Sequence, residues 1–285
     1  IHLEDNEHWL LESFTGRTLA QLRETGAAEL ESRLNDSLPH PVRSDGFLSI
    51  ADGITHIIDR LAEFAPAGTP THLLFPGVDF TQYYPQPADP ACRAELGLGD
   101  DEKVIVFTGS NTFANEPEMR DLYLAVALLN QHGIPTRLVR TGFNSPRFLD
   151  SLADDVKRHV LDLGFIAKAK LPKLLALADA LVQPGRPGPF NDYRLPSKLP
   201  EFLASGKPVA LPPTNLAALM QSGREAGFLP ESGSPAAMAD TCELLFADAN
   251  LCRTLGENAS AFARQHFDLA ANTRALPEIY LATLA

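Results

Sequence analysis

No apolar run in the 285 residues approaches the roughly 20 that a membrane-spanning helix requires, so no transmembrane segment is expected. Cysteine is scarce. Cys92, Cys242 and Cys252 are odd in number and far apart, with neither metal-ligand nor redox spacing, which argues against a disulfide framework or a thiolate metal site. Reduced, incidental thiols suit a cytoplasmic protein. The histidines are scattered without an H-x-x-x-H pair, so no metal site is expected from them. Positive charge is also short: 24 Lys and Arg stand against 36 Asp and Glu, a net charge of −12. That balance argues against a sequence-independent grip on nucleic acid or on an anionic membrane surface, although a local basic patch remains compatible with it. There is no internal repeat and no low-complexity segment. The chain opens Ile1-His2-Leu3-Glu4-Asp5-Asn6-Glu7 with neither methionine nor a helix-entry signal, and is expected to begin inside a domain. The polar cluster His2 to Glu7 reads as a plain loop, or as part of an acceptor-side surface.

The length suffices for one large or two medium domains, each with its own core. Leucines at roughly helical spacing, Leu10, Leu11, Leu19, Leu22, Leu30 and Leu34, predict one or two helices over residues 8 to 35. Pro39 and Pro41 mark a loop. Phe47 to Ile50 reads as a short buried strand, Ile54 to Phe64 as a helix, and His72 to Phe75 as a strand ending at Pro76-Gly77. Phe80 to Pro90, with three prolines and two tyrosines, reads as an interdomain linker. From Lys103 onward strand and helix alternate regularly. Strands are expected at 104–107, 136–140, 159–163, 180–183 and 208–211, and helices at 116–131 (with a capping box from Asn115 and Glu118), 146–152, 170–178, 234–247, 250–265 and 272–284. Such alternation implies parallel sheets with crossover helices.

The stretch from Leu195 to Val209 carries the most chemistry. Ser197 is a good helix N-cap, Pro200 suits the first turn, Gly206 suits the position just past the end, and Pro208 forbids continuation. The N–H groups and positive end of a helix favour an anion. Lys198 adds a full charge there, and Glu201, one turn on, can accept two hydroxyl hydrogen bonds from a sugar ring. Phosphate donors beside a ribose-binding carboxylate suit a nucleotide-sugar site.

The same stretch resembles the donor-binding helix of the retaining GT-B glycosyltransferases of family 4, the group 1 transferases, in the variant P-(S/N)-K-x-x-E-(F/Y)-x-A-x-G-x-P-V. Four further segments follow the family order: Leu73 to Asp79 is similar to the "PNGVD"-like segment ending the first domain, and Lys103 to Gly109 to the strand and glycine turn opening the second. Val160 to Ile166 is similar to "V-x-F-x-G-x-V", and Leu174 to Pro184 to "Y-x-x-A-D-x-x-x-x-P". The resemblance implies an α/β GT-B architecture with two Rossmann-like parallel-sheet domains. It places the C-terminal half of an acceptor-side domain at 1–80, a linker at 81–95, a donor-binding domain at 96–270, and a C-terminal helix at 271–285 returning to the first domain. The first domain is then only partly present.

Ligands of open parallel sheets bind beyond the carboxyl ends of the strands, and the candidate donor-binding residues cluster at four such ends. Gly109 lets the backbone approach a phosphate, with Ser110, Asn111 and Thr112 as side-chain donors; the alternative is an ordinary strand-to-helix turn. Many relatives carry an arginine and lysine pair in this loop, whereas only Arg120 stands near it here. Arg140, at the end of its strand with Thr141 and Gly142, can fork onto a diphosphate in their place, the alternative being a surface arginine. Phe165 and Ile166 follow Gly164 where relatives hold the nucleobase, unless they belong to the core. The Pro/Gly-rich loop from Gln183 to Arg194 leads into Pro196, Ser197, Lys198 and Glu201. Relatives pair the helix glutamate with an earlier acid, but the matching position here is Tyr193, with Asp192 the nearest carboxylate. Arg186 and Arg194 read as solvated loop residues.

No catalytic residue is assigned. The resemblance implies transfer of a sugar from a nucleoside-diphosphate donor to a hydroxyl acceptor, whether saccharide, lipid-linked or other, with retention and no essential metal or cofactor. A non-catalytic binding or scaffold module and a sugar-nucleotide epimerase on the same fold are the alternatives.

Overall fold

A computed structural model describes residues 1–25, 29, 41–212, 214, 220 and 232–284. The fold is α/β with two parallel sheets, and the chain divides into two compact units. The first comprises Ile1–Pro76, Gly188–Leu195 and Ala270–Ala285; the second comprises Gly77–Pro187 and Pro196–Leu269. Among the described residues, no helix is long and apolar enough to cross a membrane.

In the first unit, strands β1 (His2–Leu3), β2 (Ile54–His56) and β3 (Thr71–Leu73) form a parallel sheet in that order, with His2 opposite Thr55 and Ile54 opposite Thr71. Helices α1 (Glu7–Thr15) and α2 (Leu19–Glu24) divide the leucine-rich region. Gly16 ends α1 in the left-handed conformation at φ 67°, and Thr18 starts α2 with a true capping box to Gln21. Leu30, Leu34 and Pro39 lie outside the described residues. Three expectations fail here. Pro41 opens helix α3 (Pro41–Ser49), and Phe47–Ile50 is its end rather than a strand: only Leu48 is buried, while Phe47 and Ile50 face solvent. Ile54–His56 is strand rather than helix, because Ile54 is fully buried and pairs in register with β3; a short 3₁₀ turn begins only at Asp59.

The loop Gly188–Leu195 is held inside this first unit. Asn6 Nδ2 donates to the Pro189 carbonyl at 3.0 Å, Trp9 stacks on Phe190 at 4.7 Å, and the Tyr193 hydroxyl donates to Glu63 at 2.8 Å. Arg60 pairs with Asp192 at 3.4 Å, and the Arg194 guanidinium lies 3.8 Å above the Phe190 ring.

The second unit follows the expected alternation closely. Its strands β4 (Lys103–Thr108), β5 (Thr136–Thr141), β6 (Val160–Asp162), β7 (Ala180–Val182) and β8 (Val209–Ala210) form a parallel sheet ordered β6-β5-β4-β7-β8. Residues 104–108 of β4 are all buried, as expected of a parallel strand covered on both faces. Helix α5 (Glu116–Gln131) packs Met119, Leu122, Tyr123 and Val126 into a core shared with Ile105, Phe107 and Leu138 of the sheet and with Met238 and Cys242 of a later helix, Pro235–Ala247. Each large apolar side chain buried there contributes about 1.5–3 kcal/mol. The expected capping box of α5 is absent: Asn115 makes no cap bond and ties down the preceding loop instead, accepting from the Thr112 N–H at 2.7 Å and donating to the Ser110 carbonyl at 3.0 Å.

Candidate functional site

Strands β4 and β5 end side by side, with Thr108 opposite Thr141, and each runs into a glycine. Gly142 has φ 88°, and a Cβ there would lie 2.6 Å from the Gly109 carbonyl carbon and 2.9 Å from the Ser110 nitrogen. Only glycine lets the two turns nest this closely. Gly109 has φ 139°, and a Cβ on it would lie 2.7 Å from Lys198 Cε. The missing side chain admits the lysine, whose Nζ rests 4.4 Å from the Phe107 ring centroid and 3.4 Å from Gln183 Oε1. A positive charge is thus carried to the β4 turn by a residue 89 positions later, in place of the basic pair that the loop lacks.

Arg140 does not serve the diphosphate role expected of it. Its side chain is fully buried, and Nη2 donates to the carbonyls of Gly109, Thr141, Gly142 and Phe143 at 2.8–3.1 Å, while Nη1 lies 3.4 Å from Asp162. The guanidinium gathers four carbonyls of two turns, and nothing of it faces outward for a ligand. Asp162 completes the frame, accepting from Asn144 Nδ2 at 2.8 Å and from the Gly164 N–H at 3.0 Å. Asn111 is also internal: fully buried, it donates from Nδ2 to Asn144 Oδ1 and from its backbone to the Phe143 carbonyl. Thr141 and Gly142 are buried in the same frame. Of the candidates in these turns, Gly109 and Ser110 are partly exposed and Thr112 is exposed. The Ser110 hydroxyl oxygen accepts from the Phe143 N–H, which leaves its own proton available to a ligand.

The β6 turn lies against the β5 turn, since the Gly142 N–H donates to the Gly164 carbonyl at 2.7 Å. Phe165, just beyond, is 80% exposed, which rules out a core role; Ile166 is half-buried.

The helix carrying Glu201 is shorter than the sequence suggests. Helix α9 (Leu199–Ala204) starts with Lys198 at the cap position and no side-chain cap, so Ser197 is an exposed residue ahead of the helix rather than its N-cap. Pro200 falls in the first turn, and the helix ends with Gly206 at φ 69°. A Cβ on Gly206 would lie 2.6 Å from Pro85 Cγ, so the helix end packs directly on the proline-rich segment after Phe80. That segment brings Tyr83 next to Glu201. The Tyr83 hydroxyl is buried and faces the Glu201 carboxylate, but it is not aligned for a hydrogen bond of ordinary geometry. Burial raises the proton affinity of Glu201, against the lowering influence of Tyr83, Lys168 and Lys198. Burial and the neighbouring carboxylate likewise push the Tyr83 phenol upward. A half-buried carboxylate, a buried hydroxyl and two cations therefore meet around α9. Perturbed groups of this kind mark functional sites.

The structure thus collects Gly109, Ser110, Lys198 and Glu201 at one edge of the second unit's sheet, with Phe165 and Ile166 on the adjoining β6 turn. Asp192 and Tyr193 belong to the first unit, where Arg60 and Glu63 engage them. Arg186 is an exposed loop residue that pairs with Asp121, while Arg194 is partly buried and donates to Asn191 Oδ1 at 2.9 Å. Arg120 is turned to Ser151, 2.7 Å from its Oγ. Tyr83, Lys168, Asp162 and Asn144 were missed by motif reading. Only Asp162 carried a signal, as a carboxylate closing a strand of the V-x-F-x-G-x-V-like segment. Among the described residues, no group of three or more His, Cys, Asp or Glu side chains is placed to hold a metal ion.

The profile of the glycosyl transferases group 1 family matches residues 102–248, just over half of the chain. The protein is a group 1 glycosyltransferase. No curated protein sequence matches it. Among solved structures, this glycosyltransferase is similar to Anabaena HepE in complex with UDP and glucose, at 20% identity and a TM-score of 0.74, over 98% of this chain and 70% of that one. It is similar to sucrose-phosphate synthase from Thermosynechococcus elongatus at 19% identity and a TM-score of 0.68, over 94% and 66% of the two chains. It also resembles S. aureus TarM at 12% identity and a TM-score of 0.65, over 87% and 48%. These likenesses bear out the GT-B fold.

Proposed function

We propose that this glycosyltransferase takes a nucleoside-diphosphate sugar, with UDP as the first nucleotide to test, and moves the sugar to a hydroxyl acceptor with retention and without an essential metal. The observation that carries the reading is the pairing on α9 of a half-buried Glu201, its proton affinity raised by burial, with Lys198 lying across Gly109. Glu201 accepts hydrogen bonds from the ribose hydroxyls. Lys198, with the Gly109 and Ser110 turn and with Pro196 and Ser197 at the approach to α9, meets the diphosphate. Phe165 and Ile166 form the apolar wall for the base. HepE has been solved with UDP-glucose, which supports a uridine donor on the same fold.

In the reaction, the bond between the anomeric carbon and the diphosphate oxygen breaks, and a bond to the acceptor oxygen forms. The acceptor proton leaves with the departing phosphate. Developing negative charge on the diphosphate is what Lys198 and the turn amides stabilise, the part a metal plays in other transferases. Residues 1–76 and the 188–195 loop are read as belonging to the acceptor-side domain, with Asp192 and Tyr193 read as part of it rather than of the donor site.

Calorimetry of the parent chain with UDP, GDP, ADP and their sugar conjugates tests the reading. UDP or UDP-sugar binding, weakened in Glu201→Ala at unchanged thermal stability, is expected. Failure of every nucleoside diphosphate to bind would overturn it.

A further inference from the structure

The far end of the same sheet holds a second concentration of positive charge with no part in donor binding. A cavity of about 320 Å³ lies where β4, β7 and β8 begin, lined by Lys103, Asp179, Lys207, Phe246, Cys252 and Arg253 among others. Lys103 is the first residue of β4 and Gly109 follows its last. Six residue steps at roughly 3.3 Å each put the cavity about 20 Å from the donor turn.

Lys103, Lys207 and Arg253 converge here in a chain whose net charge is −12. Among the described residues, neither lysine closes an ion pair. Lys103 lies 5.7 Å from the Phe246 ring centroid, and the Asp179 carboxylate raises the proton affinity of Lys207 without closing an ion pair with it. Asp179 is itself engaged, its Oδ2 accepting from the Val104 N–H at 2.8 Å. Arg253 pairs with Glu257 one turn along its own helix, at 3.0 Å. Burial lowers the proton affinity of Lys207, as expected of an ammonium drawn from water, and the Asp179 carboxylate offsets this only in part. Its backbone is held firmly: Gly256 packs so closely that a Cβ there would overlap the Gly206 carbonyl oxygen. Leu245, Phe246 and Ala249 supply an apolar wall beside the cations.

We infer that this cavity is a second anion site that takes a phosphomonoester, the phosphate held by Lys103, Lys207 and Arg253 and the organic body lying against Phe246. Two lysines that close no ion pair among the described residues, beside an apolar wall, are complementary to a dianion carried on a small apolar or sugar body. The cavity volume accommodates one such molecule. The inference is independent of the donor-site reading, because no residue is shared.

The test is calorimetry of the intact chain with inorganic phosphate and with phenyl phosphate. Both are expected to bind, phenyl phosphate more tightly. In Lys103→Gln/Lys207→Gln, affinity is expected to fall at least tenfold while UDP binding and the thermal midpoint stay as in the parent. In Lys198→Gln, phosphate binding is expected to persist. Three results overturn the site: no binding of either phosphate to the parent, undiminished binding in the double variant, or loss of phosphate binding in Lys198→Gln, which would assign the anion to the donor end. Should the double variant fold poorly, Arg253→Gln on the exposed rim supplies the same reading with a smaller expected loss, about threefold.

Discussion

Arg140 and Glu201 both carry charge near the carboxyl edge of one sheet, and both looked like donor ligands in the sequence. The Arg140 guanidinium is fully buried and gathers four backbone carbonyls with Asp162 alongside. Glu201 is half-buried, with two lysines and a misaligned tyrosine around it, and its proton affinity is raised. One charge is answered by its own protein through both terminal nitrogens, only its buried Nε lacking a partner, and it therefore builds the site. The other is held in a setting that costs the apo fold something and that a ligand's hydroxyls can relieve. Charge at a strand end is thus no evidence of ligand contact until its partners are known.

The sharpest way to break this comparison is Arg140→Ala. Removing the guanidinium strands four carbonyls and Asp162 around a cavity, and the expected loss is roughly 3–5 kcal/mol. It is read as a large fall in the thermal or urea midpoint, with nucleotide affinity falling as the turns loosen. If the variant kept full stability and lost only nucleotide binding, Arg140 would be a ligand after all.

Glu201→Gln tests the other side with a smaller, opposite signature. Nucleoside-diphosphate affinity should drop by about 10- to 100-fold, as expected when a charged hydrogen bond worth about 1.5–3 kcal/mol is weakened. Stability should not fall. Because burial raises the proton affinity of Glu201 in the fold, the native state holds the proton more tightly than the unfolded chain. Its contribution to stability is therefore present at low pH and is lost as pH rises from the ordinary carboxylate range through the raised value. Gln has no such dependence, so the midpoint-against-pH profiles of parent and variant should diverge upward from that window. Parallel profiles would remove the claim that Glu201 is held at a cost.

Phe165→Ala should have the smallest effect. An 80% exposed ring contributes within about 0.5 kcal/mol to folding, while its loss as a base wall should weaken UDP by a few-fold, about 0.5–1.5 kcal/mol. Equal UDP affinity in parent and variant would leave the base wall to other residues.

The second unit was legible almost element by element, since β4 carries a buried apolar run and α5 keeps one buried stripe, as Met119, Leu122, Tyr123 and Val126 show. The first unit was less so. Among its described residues it has no strand as long as β4 or β5 to set the pattern, and the apolar Phe47 and Ile50 stay at the surface. Cap chemistry was misread at Asn115 and Ser197 for a related reason: an amide or hydroxyl at a helix start has several local partners, and the neighbouring turn decided between them.

By itself, the sequence determined the α/β alternation of the second unit and the membership in the group 1 glycosyltransferases, which follow from motifs and patterns within short segments. That a side chain has no room at Gly109, Gly142 and Gly206 comes from contacts with Lys198, the Gly109 turn and Pro85, which the fold brings from elsewhere in the chain. Tertiary structure alone decided that Arg140 faces inward, that Asp192 and Tyr193 belong with Arg60 and Glu63, and that Tyr83 and Lys168 stand beside Glu201. The role of a charged group depends on which distant segments desolvate it and which partners they bring, and spacing along the chain does not carry that information.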